Sequence, residues 1–132
     1  MVPDHARAVF DARLAPPHDG TSTKRWLAAR LPGAEVRVRS ERLRPFETEA
    51  AHPLVRTALE VSGHDRAEGS STLSDMALLG GLPAVKCGPG QTIRSHTPGE
   101  FVLEEELLAG ERFYRELAPR LLPRLATTTV SP

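Results

Sequence analysis

Cysteine is all but missing from this chain: Cys87 is the only one among 132 residues. A lone cysteine excludes an internal disulfide and suits a reducing compartment, so a cytoplasmic location is expected. Long apolar runs are missing too. None approaches the ~18 residues that a membrane-spanning helix needs, and Met1 to Phe10 lacks the apolar centre of a secretory signal. Net charge is zero, with 17 basic residues against 17 acidic ones. Without a single-sign stripe, neither a nucleic-acid partner nor a polybasic membrane surface is expected. Lysine occurs only at Lys24 and Lys86, while arginine, alanine, leucine and proline are common. That bias belongs to base composition rather than to function. No internal repeat is present. The length is sufficient for a domain with a real core.

What is there reads first as alternation. Ala8, Phe10 and Ala12 fall on one side of an expected strand over 6–12, and Val9, Asp11 and Arg13 on the other. Pro16-Pro17 ends it. The hydroxyls of Thr21, Ser22 and Thr23 suit a helix start, and that helix is expected to reach Leu31 before Pro32-Gly33. Val36 and Val38 alternate with Arg37 and Arg39 in a second expected strand over 34–42. The result is a β-α-β unit with one wet face. A boundary is expected near Pro45, giving domains 1–47 and 48–132.

The second region begins with a helix opened by Pro53 and closed at Ser62-Gly63. Ser74-Asp75 caps a short helix ended by Gly80-Gly81. Leu82 to Lys86 fits a buried strand, and Gly88 to Pro98 must be loop. The longest amphipathic helix is expected over 103–117, followed by a frayed tail from Thr127. Gly110 lies on that helix's apolar stripe, where it costs about 1 kcal/mol against alanine. A close approach by another element would explain it.

The chemistry-bearing residues each have a bland reading. Asp11 and Arg13 on one face make an exposed ion pair worth ~0–1 kcal/mol, but a guanidinium also offers a planar fork to a carboxylate. Ser74 and Asp75 are good caps. Gly88-Pro89-Gly90 has no following Gly-Lys-Ser/Thr, so it is a turn that lets backbone pass close to a site rather than a phosphate loop. Arg94 is expected to be solvated and Cys87 to be a small buried side chain. Glu104, Glu105 and Glu106 suit the positive end of the last helix. His5, His18, His52 and His64 have no partners at ligand spacing. His96, in Ser95-His96-Thr97-Pro98-Gly99-Glu100, is a neutral imidazole on a Gly/Pro-rich loop, which suits zinc.

Taken in order, Ser74-Asp75, the apolar stretch to Lys86, Gly88-Pro89-Gly90, His96-Thr97-Pro98-Gly99-Glu100 and a final amphipathic helix resemble the C-terminal part of a known family. It is the family of zinc amidohydrolases and metallopeptidases that includes aminoacylase, acetylornithine deacetylase, succinyl-diaminopimelate desuccinylase and carboxypeptidase G. Asp11-Ala12-Arg13-Leu14-Ala15-Pro16 resembles that family's Asp-x-Arg-x-x-Pro. Gly99 stands where the family has Asp, and Leu73 where it commonly has Thr. The resemblance implies an α/β fold: half of a ferredoxin-like lid over 1–47, then the C-terminal part of the catalytic domain. It implies that His96 is a metal ligand and that Arg13, Ser74, Asp75, Gly88 and Gly90 meet substrate. The substrate would be an N-acyl amino acid or small peptide, cleaved at its amide bond.

The family's remaining ligands and its general base are not in this sequence. There is no His-x-Asp, and the only glutamate run opens the last helix. A catalytic zinc site needs three protein ligands. The expectation is therefore a C-terminal fragment with no catalytic residue of its own. Zinc, dinuclear in the complete enzyme, would not bind tightly to this part. The alternative is an inactive remnant or interaction module that pairs with a separate N-terminal half. A homodimer is a further expected partnership.

Overall fold

A computed structural model describes residues 3–70 and 74–128. The chain divides into two compact units, Met1–Phe46 and Glu47–Pro132. The α/β expectation is overturned: among the described residues there is no strand, only α1 (Gly20–Arg30), α2 (Pro53–Ser62), α3 (Glu104–Thr128) and two 3-10 turns at Asp75–Leu78 and Thr92–Arg94. No helix among these residues is long and apolar enough to cross a membrane.

In the first unit the helix forms where expected, but its cap is Asp19. The Asp19 carboxylate accepts the Ser22 N–H at 2.7 Å, and Ser22 Oγ accepts the Asp19 N–H at 3.0 Å. This reciprocal box satisfies two donors that a helix start otherwise leaves open. The Ser22 N–H also holds the Asp19 carboxyl below its ordinary pKa. At the other end the Arg30 guanidinium lies 4.1 Å from the centre of the Trp26 ring. The β-α-β lid is absent because neither 6–12 nor 34–42 finds a strand to pair with. A ladder needs a neighbour, and a lone pair of strands is marginal even when formed. The alternation therefore buries nothing, and Phe10 is 84% exposed.

The second unit is organised by α2 against α3, the two helices that pack on each other. Pro53 starts α2, His52 Nδ1 accepts the Leu54 N–H at 3.2 Å, and Gly63 ends the helix at φ 72. Val55 (3% exposed), Thr57 (0%) and Leu117 (8%) form the core. The Thr57 hydroxyl accepts from Arg124 Nη1 at 2.9 Å, which also pairs with Glu60 at 2.8 Å. A buried hydroxyl costs stability unless it is bonded in this way.

Helix α3 runs beyond the expected end at Leu117 and includes Thr127, despite Pro119 and Pro123. The two prolines are four residues apart, so the carbonyl of Pro119 faces the missing N–H of Pro123 and their defects stack on one side. Arg124 is anchored to α2 beyond both, and Arg120 pairs with Glu116 at 2.9 Å. These bonds hold the final turns.

The expected strand over 82–86 is also absent. The Thr48 hydroxyl takes both polar groups of Ala84: it donates to the carbonyl at 2.6 Å and accepts the N–H at 2.9 Å. A side chain thus does for this segment what a neighbouring strand would do. The segment becomes a strap along α3. Tyr114 donates its hydroxyl proton to the Cys87 carbonyl at 2.8 Å. The close approach at Gly110 is made by Pro89, whose Cβ lies 3.3 Å from where a Cβ on Gly110 would stand.

Candidate functional site

The strap delivers the chain to the loop that carries His96. Gly90 turns it at φ +83, where a Cβ would lie 3.5 Å from Val102 Cγ2. The 3-10 turn Thr92–Arg94 follows. His96 then adopts φ 61 and is the only non-glycine residue at positive φ among the described residues. Histidine tolerates this left-handed region better than most side chains, yet the conformation has to be imposed by its surroundings. Glu100 Oε2 accepts the His96 N–H at 3.0 Å, and the Glu100 N–H donates to the Thr97 carbonyl at 3.1 Å. Thr97 Oγ1 donates to the Arg94 carbonyl at 2.7 Å. His96 is exposed, and its ring has no hydrogen-bond partner among the described residues.

Sequence reasoning missed what holds this loop. Arg94, expected to be solvated, is 17% exposed and donates from Nη1 to Glu106 Oε2 at 2.7 Å. Its guanidinium lies 4.6 Å from the centre of the Phe101 ring. Glu106 Oε2 also accepts the Leu103 N–H at 2.8 Å, capping α3. The Arg94 bond, then the Leu103 N–H, keep the Glu106 carboxyl below its ordinary pKa. The glutamate run does open the last helix, as expected, but Glu106 serves the loop as well. A glutamate three residues into a helix signals a cap; nothing in the spacing from Arg94 to Glu106 signals their contact.

The other singled-out residues lie in plainer settings. Arg13 Nε bonds Asp11 Oδ2 at 3.3 Å with both side chains exposed. Ser74 precedes the 3-10 turn without a side-chain cap bond, and Asp75 is exposed in its first turn. Leu73, which stands where the resembled family commonly has Thr, lies outside the described residues. Gly88 has open space where a Cβ would be. Cys87 is exposed rather than buried, with its sulfur 3.8 Å from the Tyr114 hydroxyl. That side-chain contact, and then partial burial, raise the Tyr114 pKa. An open groove of about 330 Å³ lies beside Pro53, Arg56, Glu60 and Arg124 and contains none of the expected site residues.

A zinc site requires several donors to converge. Among the described residues no three His, Cys, Asp or Glu side chains form a group that could hold a metal ion. The donors described here therefore do not fit zinc by themselves. His96 offers one free imidazole from a braced loop, and Arg13 offers a guanidinium whose only described partner is Asp11. Compared with family models, curated proteins and solved structures, the chain matches none.

Proposed function

We propose that this chain supplies the C-terminal portion of a zinc-dependent amidohydrolase or metallopeptidase. In this reading another stretch of polypeptide brings the missing ligands and the general base. His96 is the ligand contributed here, and Arg13 binds the carboxylate of an N-acyl amino acid or small peptide. The observation that carries the reading is the setting of His96. A histidine is kept at φ 61, where glycine is the easier residue, and its exposed ring has no protein partner. The order of Ser74-Asp75, Gly88-Pro89-Gly90, His96 and Glu100 supports it independently.

A polypeptide carrying the His-x-Asp and Glu-Glu elements of such an enzyme tests the proposal. Combined with this chain, it should hydrolyse N-acyl amino acids. His96→Ala should remove most of that activity and leave the chain's helical signal unchanged. Near-normal turnover by the variant, with metal still bound, would contradict the reading.

A second reading, a non-catalytic interaction module, is favoured by surface. Ile93, Phe101, Leu107 and Leu122 are among the exposed apolar side chains. In this case the chain would bind its complement equally well with or without His96, and no activity would appear.

A further inference from the structure

The geometry points to Arg94 and Glu106 as positioning residues that lock the His96 segment onto the first turn of α3. This inference rests on the reading of His96 as a ligand, because that reading gives the lock its purpose.

The constraints form a continuous series. Glu106 is fixed by its own helix and by the Leu103 N–H at 2.8 Å. The same oxygen holds Arg94 Nη1 at 2.7 Å. Stacking on Phe101 at 4.6 Å confines the guanidinium plane. The main chain of Arg94 is then tied forward by Thr97 Oγ1, 2.7 Å from its carbonyl. His96 lies between these two residues, and Glu100 fixes its N–H at 3.0 Å. The incoming end of the loop passes the same carboxylate: a Cβ on Gly90 would stand 3.9 Å from Glu106 Oε2.

An ordinary surface ion pair is solvated and contributes little. This one differs because its side chains are 17% and 21% exposed and each has a second partner. A left-handed histidine persists only where the surroundings over-determine its backbone. Arg94 and Glu106 supply that determination from outside the loop, while Glu100 and Thr97 supply it from within.

Amide hydrogen exchange on the intact chain, without metal, reads the lock directly. Arg94→Ala should accelerate exchange at His96 and Glu100 by about tenfold or more, while Leu59 and Leu117 in the helix pair change by less than about twofold. Glu106→Gln keeps an acceptor for the Leu103 N–H but loses the ionic bond, so it should act in the same direction with α3 intact. Arg94→Lys should restore part of the protection, because it keeps the charge and loses the fork. Unchanged exchange at His96, or equal acceleration throughout α2 and α3, would overturn the inference. His96→Ala in the reconstituted enzyme tests the ligand reading instead, so the two can fail separately.

Discussion

In residues 3–46 no side chain is buried, whereas residues 47–128 close two helices over Val55, Thr57 and Leu117. Both units have a well-capped helix, so capping is not what separates them. The difference is the partner. Helix α2 has α3 to cover its apolar face, while α1 buries no residue. Short helices draw most of their stability from such packing, not from propensity. The comparison teaches where a precise loop can be built. The His96 segment is braced on the packed unit, and Arg13 sits in the unpacked one beside an exposed Asp11.

The comparison breaks most visibly at the core. Leu117→Ala should cost about 2–5 kcal/mol in urea unfolding followed by helical signal. Trp26→Ala should cost no more than about 1 kcal/mol, the worth of its contact with Arg30. Equal losses would mean that the first unit has a core of its own. Arg13→Lys sharpens the functional side in the reconstituted enzyme. Turnover of a carboxylate-bearing substrate should weaken by about 1–3 kcal/mol and its amide analogue by much less, so equal losses would reduce Arg13 to a surface ion pair. Thr57→Val, which removes the buried acceptor of Arg124, should cost about 1 kcal/mol in the same unfolding assay. His96→Gly should stabilise the second unit by about 0.5–1 kcal/mol, and His96→Ala should not. Destabilisation by glycine would mean that the φ 61 backbone is not a strain carried for the sake of the imidazole.

Acid acts on both units. Asp19 and Glu106 both have carboxyl groups held below their ordinary pKa by hydrogen bonds. A lowered folded-state pKa stabilises above the unfolded value, and the contribution is lost as pH falls through the folded one. The α1 helix and the His96 loop should therefore loosen in acid and not in mild base. Chemical-shift titration of Ser22 and Leu103 amides checks this. Transitions confined to alkaline pH would contradict it.

Local signals explain which parts were legible in the sequence. Pro53 and Gly63 marked α2 because proline and left-handed glycine act on the backbone within a turn. Gly110 marked a close approach, which Pro89 makes. The strands were misread because alternation reports a face, not a partner, and the segments 6–12 and 34–42 have none. Leu82 to Lys86 was misread for a different reason: one hydroxyl, that of Thr48, satisfies Ala84 from a distant part of the chain. Helix α3 continues past the expected end at Leu117, through Pro119 and Pro123, because Arg124 is held by α2, a contact that the apolar stripe does not report. At the candidate site His96 stood out by its neighbours in sequence. Arg94 and Glu106 did not, since their contact depends on how the loop folds back.

Zinc titration of the chain alone, followed by calorimetry, tests the central claim most directly. The account holds that this chain contributes a single imidazole to a site that other polypeptide must complete. It predicts no stoichiometric site of micromolar affinity or better, and no change on His96→Ala. A one-to-one zinc site of that affinity would contradict it, because three converging ligands would then come from this chain.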